Sequence, residues 1–322
     1  MHIPDGLLDA TTSVAALAVS GATVGYALHK VRRDLPDRAA PLMGMTAACL
    51  FAAQTLNFPL LVAPTSGHLL GGVLAAVLLG PWGGIVVMTA VLLVQCLLFQ
   101  DGGLTALGAN VLLLAVIGSG LGYAIFATVR RSISGPAGVI AGATIAAWFS
   151  VQLGAVTASV LIAVGPAFAL GQVLGVMLLA HSVIGLGEAV ITGLTVSFVL
   201  RTRPDLLFGN QRSAHPLGGL GEVILAGLAM AVVLAVVAAP LASRLPDGLE
   251  QSLLSAGFEP SLASSLVSAP FPDYEVSGLW SMAVAGSAAG LIGVVAVFAL
   301  AYGLTRAARV IPASSAHTTD VG

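Results

Sequence analysis

From Leu69 to Phe99 the chain runs for 31 residues without one charged side chain. An apolar stretch of about 18 residues or more can cross the roughly 30 Å hydrocarbon core of a bilayer as a helix. Comparable runs recur along the 322 residues. Backbone groups in lipid must be satisfied within their own helix or inside a closed barrel. Apolar and polar residues do not alternate here as barrel strands require, so helices are the remaining solution. Composition agrees where it decides something. Charged residues make up 8% of the chain and apolar ones 57%, whereas a soluble domain carries about 25% charged residues to cover its surface. The fold class is therefore read as an all-α polytopic membrane protein.

Nine spans are predicted, at 10–29, 41–63, 66–80, 81–99, 105–129, 136–164, 169–200, 221–241 and 279–304. Gly80-Pro81-Trp82-Gly83-Gly84 offers a break inside the long uncharged run, and the distribution of basic residues decides whether to use it. With the break, and with the N-terminus outside, Lys30, Arg32, Arg33, Arg38, Arg130, Arg131, Arg201, Arg203, Arg212, Arg306 and Arg309 are all cytoplasmic, and only Arg244 is outside. Without it the count becomes 5 inside and 7 outside. The split is adopted, with the C-terminus cytoplasmic. Its two short members, 66–80 and 81–99, imply tilt or a partly re-entrant path.

The chain divides into a seven-helix core at 1–200, a cytoplasmic linker at 201–220, a two-helix unit at 221–309 around an extracytoplasmic loop at 242–278, and a disordered tail at 310–322. No internal repeat is visible. Gly21-x-x-x-Gly25 suits a close helix contact. Cys49 and Cys96 lie inside apolar runs and read as small buried hydrophobes. A net charge of −2 with no basic tract excludes a nucleic-acid partner and leaves lipid as the surrounding partner. No cationic segment precedes the first apolar run, so no cleaved signal is expected and the first residues should persist.

Those first residues read MHIPDG. A free amine followed by His2 offers three nitrogens: the Met1 amine, the His2 amide and the His2 ring nitrogen nearer the backbone. They close a five- and a six-membered ring on one ion and leave one position in a plane, an arrangement of nitrogen donors that suits Ni(II) or Cu(II). The fourth donor must come from the same face. Of the other histidines, His29 and His215 are cytoplasmic, His317 lies in the tail and His181 lies inside span seven. His68, in APTSGHLLGG at the outer start of span three, is the best placed. Thr65 and Ser66 could bond its ring or orient its loop. A histidine at position 2, or at a helix start, can each be incidental; the two together on one face point to a metal.

Other polar residues are few. Asp101 in QDGG could attract cations or tie down the N-terminal segment, or be a solvated turn residue. Asn57 and Asn110 sit near outer span ends, where they could support the metal or join helices. His181 and Glu188 are seven residues apart and share a face of span seven; ionisable groups inside a membrane are costly, and a structural or coupling role near the cytoplasmic half is assigned to them. Asp247, Glu250, Glu259, Asp273 and Glu275 form an acidic outer patch that could concentrate cations or simply be solvated.

Four ordered motifs, MHIPDG, PTSGHLLGG, FQDGGLTALGAN and AHSVIGLGEAVITG, together resemble CbiM/NikM, the substrate-specific S component of energy-coupling-factor cobalt/nickel transporters. ASRLPDGLEQSLLSAGF with APFPDYEV resembles the PDGLE segment of NikN/CbiN-type components, here fused behind the linker. The resemblance implies Ni2+ or Co2+ as transported substrate, held by Met1, His2 and His68, with the PDGLE fusion leaning toward nickel. It implies a transmembrane coupling subunit of the CbiQ/NikQ kind and a cytoplasmic ATPase of the CbiO/NikO kind as partners. It also implies the cell membrane of a prokaryote as location. The sequence agrees on energy: it has one lysine, Lys30, and no GxxxxGK[ST] phosphate loop. The protein is expected to be a transporter component rather than an enzyme, with no organic cofactor and no nucleophile–base pair. The alternative is a carrier or channel working alone, for which Glu188 is the main intramembrane carboxylate.

Overall fold

The computed structural model describes residues 1–36, 39–60, 64–165, 169–210, 219–238, 241–243, 245–255, 257 and 268–310. Helix α1 (Ala10–Asp34) starts where Asp9 accepts the Thr12 N–H at 3.0 Å and the Thr12 hydroxyl at 2.6 Å, an N-cap that satisfies free backbone donors. It stops at Leu35, held extended by the proline that follows. Beyond it come α2 (Ala39–Gln54), α3 (Gly72–Phe99), α4 (Leu107–Ser132), α5 (Gly135–Val164), α6 (Leu170–Thr202), α7 (Leu220–Val237), α8 (Gly248–Ser255) and α9 (Met282–Val310). Helices α5 and α6 pack along their lengths, α9 packs on α2, and α3 lies at the centre against α4. Most of α7 is exposed, as a helix facing lipid would be.

Among the described residues seven helices are long and apolar enough to cross a membrane, and α2, at 16 residues, is about 24 Å long. The expected spans 66–80 and 81–99 appear as one element, α3, but it is not one rod. Gly80 has φ 78° and ψ 167°, a conformation essentially restricted to glycine. A Cβ built on Gly84 would lie 3.0 Å from Cα of Ala76; residues eight apart in a continuous helix stand about 12 Å apart along the axis. The chain therefore doubles back at Gly80. Counting its two arms and α2 gives nine apolar helical segments among the described residues, but the first arm, 72–79, is only about 12 Å long and is not the full span expected at 66–80.

Their bounds differ in one region. The expected span 41–63 ends as a helix at Gln54, and the expected span 66–80 becomes helical only at Gly72. Between them β1 (Phe58–Pro59) pairs antiparallel with β2 (Ser66–Gly67), so those residues bond across a gap rather than along a helix. Gly21 and Gly25 make no close helix contact: a Cβ on either would meet nothing within 4 Å. Arg38, Arg212, His215, Arg244, Glu259 and His317 lie outside the described residues, as does the tail beyond Val310.

The bundle has two unlike ends. Around the fold at Gly80 gather Lys30 and Phe208, Arg130 and, close by, Arg309, which donates to the Leu35 carbonyl at 3.0 Å. The other end, where α1 begins, holds the N-terminus.

Candidate metal centre

MHIPDG is threaded into the bundle. Met1 is 2% and Ile3 0% exposed. The Ile3 N–H donates to Asn110 Oδ1 at 2.8 Å, and the Asn110 amide donates back to the Ile3 carbonyl at 3.0 Å. The same carbonyl accepts the Gly103 N–H at 2.9 Å. Asp5 Oδ1 accepts the N–H and hydroxyl of Thr105 at 2.8 and 2.7 Å. Asn110 thus grips the terminal strand itself, and the turn after Asp101 supplies the rest of the clamp.

The clamp fixes the terminal nitrogen. Met1 N stands 2.9 Å from Nε2 of His68 and 2.6 Å from Oδ2 of Asp247. Nδ1 of His68 lies 3.0 Å from the Leu69 carbonyl; donating its proton there leaves Nε2 with the lone pair. Burial, then the charges of the terminus and His2, push the His68 pKa down to about 3, so the ring is neutral and able to act as a donor. The His2 and His68 rings stack with centroids 5.5 Å apart. Nδ1 of His2 is 2.9 Å from Asp101 Oδ1, and its Nε2 is buried without a partner. A chelate through Nδ1 requires this ring to turn away from Asp101.

Two carboxylates border the site. Burial opposes ionisation of Asp101, but His2 and the Tyr274 hydroxyl, which donates to it, hold its pKa below the usual carboxylate range. Asp247 is treated alike: burial opposes its charge, and the terminal ammonium with His68 overrides this. A cavity of about 400 Å³, lined in part by His2, His68, Asp101, Asp247, Glu250 and Tyr274, opens onto these groups. Among the described residues no three His, Cys, Asp or Glu side chains converge as a metal cage.

The loop carrying His68 is held from both sides. The Thr65 and Ser66 hydroxyls donate to the carbonyls of Pro246 and Leu245 at 2.8 and 2.7 Å, and the Ser66 N–H donates to Pro246 at 2.8 Å. They orient the loop and do not bond the ring. From below, Glu188 accepts the N–H groups of Leu70 and Gly71, both at 2.7 Å. The Leu70 carbonyl accepts from Gln54 at 2.6 Å, and Gln54 accepts from Gln95 at 2.9 Å. Asn57 contributes its carbonyl to Ser243 at 2.7 Å, and it also lines the cavity.

His181 departs from expectation. It is fully buried near Met1 and Gly248, with Nδ1 2.8 Å from the Met177 carbonyl. It therefore belongs to the half of α6 that faces the terminus, and Glu188, at mid-helix, reaches the His68 loop; neither lies toward the basic end. Gln54, Gln95, Asp247 and Tyr274 were not assigned to the site from sequence. The two glutamines carried a usable signal, as amides inside apolar runs. Asp247 and Tyr274 lie in the motifs PDGLE and PFPDYEV, but nothing local relates those motifs to residues so far upstream.

Comparison with known proteins bears on this geometry. Residues 2–206 match the family CbiM, described as "Cobalt uptake substrate-specific transmembrane region", and residues 221–310 match the PDGLE domain. A protein of Archaeoglobus fulgidus, provisionally named as a fused nickel transport protein, NikMN, is 36% identical over 96% of this chain and 99% of its own. The cobalt transport protein CbiM of Sorangium cellulosum is 34% identical over 64% of this chain and 94% of its own. A crystal structure of a transition metal transporter superposes with a TM-score of 0.57 at 28% identity, covering 62% of this chain and 93% of the other.

Proposed function

Because the chain belongs to the CbiM family of cobalt uptake substrate-specific transmembrane regions and carries a PDGLE domain behind it, we propose that it captures divalent nickel or cobalt for import. The multi-pass membrane fold is common to family and structure. In this reading the donors are the Met1 amine, the His2 amide and imidazole, and Nε2 of His68. The fused relatives named for nickel, in Archaeoglobus fulgidus and Rhodobacter capsulatus, favour nickel. The terminus faces outside and the basic end faces the cytoplasm, where Lys30, Arg130 and Arg309 fit the bias of cytoplasmic loops. The units are 1–200 for capture, 201–220 as linker and 221–309 as the PDGLE unit.

One observation carries the reading. Met1 N and His68 Nε2 are 2.9 Å apart. Two nitrogens each bound at about 2.0–2.1 Å to one ion, and at a right angle, stand about 2.9 Å apart. The pair that now shares a hydrogen bond is spaced to share an ion instead. His68→Ala in the full chain with its native terminus is expected to fold, and to weaken Ni(II) binding by more than about 100-fold, beyond what loss of an outer partner usually costs. Equal stoichiometry and affinity in mutant and parent, measured by metal analysis and titration, would remove His68 from the site.

Energy comes from elsewhere in this proposal. A transmembrane coupling subunit and a cytoplasmic ATPase drive the import step, since the chain has no phosphate loop of the GxxxxGK[ST] type. Labelled nickel or cobalt uptake by cells expressing this chain alone is expected to stay near background and to rise when the two partners are added. Full-rate uptake by the chain alone would mean that it works as an independent carrier.

A further inference from the structure

The motif PDGLE has a physical reading, residue by residue. Pro246 offers its carbonyl to Thr65 and Ser66. Asp247 Oδ1 accepts the N–H groups of Leu249 and Glu250 at 2.7 and 2.8 Å, and the Asp247 N–H donates to Glu250 Oε2 at 3.0 Å. That is a reciprocal capping box opening α8. At Gly248 a Cβ would stand 3.0 Å from Cε1 of His181, so only the bare backbone passes comfortably. Leu249 is 0% exposed. All this sets the segment against the metal-binding half and leaves one atom uncommitted to it: Asp247 Oδ2, which points at the Met1 nitrogen from 2.6 Å.

We infer that Asp247 is a positioning residue for the metal site, so that the C-terminal unit completes the site built by the N-terminal one. The inference rests on the capture reading above. A terminal amine that coordinates a metal keeps two hydrogens, and one of them can still be donated to Oδ2. The carboxylate then does for the amine what outer carboxylates do for ligating histidines: it fixes the direction of the lone pair and makes the donor more basic. Asp247 Oδ2 is 4.0 Å from His68 Nε2, too far to bond both nitrogens and suited to steering only the amine. On the opposite side of the cavity Tyr274, also from the C-terminal unit, donates to Asp101, which holds His2. The same unit thus reaches both histidine-bearing segments through acidic intermediaries.

The division of labour between the two Asp247 oxygens makes a clean test. Asp247→Asn keeps an oxygen for the cap, which asparagine serves as well as aspartate, and removes the charged acceptor facing the amine. In the full chain with its native terminus, Ni(II) titration is expected to show binding weakened about 10–100-fold, while the bound ion keeps the same number and kind of donor atoms, as X-ray absorption at the nickel edge reports. Asp247→Glu should recover much of the loss, and Glu222→Gln, exposed in the same unit and away from the cavity, should bind as the parent does. Metal-free melting checks the fold; if the Asn variant melts early, Asp247→Ser, which also caps, replaces it. Parental affinity in the charge-free variant overturns the inference and leaves the capture reading standing. A change in the donor set, with an oxygen lost from the nickel shell, also overturns it, since Asp247 would then be a ligand itself. If the parent binds no Ni(II), the capture reading fails first and this inference with it.

Discussion

A chain carrying even one extra residue ahead of Met1 is expected to lose high-affinity nickel binding, by more than about 1,000-fold or roughly 4 kcal/mol. The extension converts the amine into an amide, which ends the five-membered ring with the His2 nitrogen and discharges the partner of Asp247. Space makes the loss worse. Met1 is 2% exposed and its methyl end lies against Gly154, so an added residue would have to displace His68 and Asp247 from the terminal nitrogen. Inserting alanine between Met1 and His2 keeps a free amine but moves the imidazole to position 3, and the new chelate no longer meets His68. A C-terminal tag serves as control. Binding and uptake are compared for the three versions at matched expression and melting temperature. A folded, N-tagged chain that binds like the parent removes the amine from the ligand set.

Glu188→Ala is expected to be the most damaging single substitution outside the ligands. The carboxylate accepts two N–H groups inside the bundle, from Leu70 and Gly71, and each donor left without a partner costs about 1–3 kcal/mol. The damage reaches the site, because Leu70 is two residues from His68 and its carbonyl is the end of the Gln54–Gln95 relay. Glu188→Gln should be milder: its amide oxygen can accept one of the two N–H groups. Melting in detergent should fall in the order parent, Gln, Ala, and nickel affinity should follow the same order. If the Ala variant melts and binds as the parent does, Glu188 is not what holds the His68 loop.

The seven long helices were legible because each is a long apolar run, and Gly80-Pro81 could be recognised as a fold by where the basic residues would otherwise land. The non-helical stretches 55–60 and 64–71 were not legible. A short strand pair holds 58–59 to 66–67, and Glu188, more than a hundred residues downstream, holds Leu70 and Gly71; neither leaves a local pattern. His2, His68, Asp101 and Asn110 stood out as polar residues in a chain that has few, and the structure brings all four together. Asp247 is legible as part of an acidic outer patch able to concentrate cations or be solvated; its inward turn goes with Pro246 bonding Thr65 and Ser66, far upstream. The Gly21–Gly25 spacing misled because 39 glycines make such spacing common by chance. His181 was set at the wrong depth because spacing along a helix fixes its face and not its partners.

The contact between Met1 and Asp247 spans 246 positions of chain, and that separation sets an order of assembly. Synthesis at about 5–20 residues per second leaves roughly 10–50 seconds between the emergence of the first nitrogen and that of its carboxylate. In the later part of that interval the terminus can meet His68 and Asn110 but not its counter-charge. Any processing of the terminal amine must therefore happen early, while the door is open, and a chain truncated before α8 would keep the nitrogen donors yet never acquire the acid that aims them.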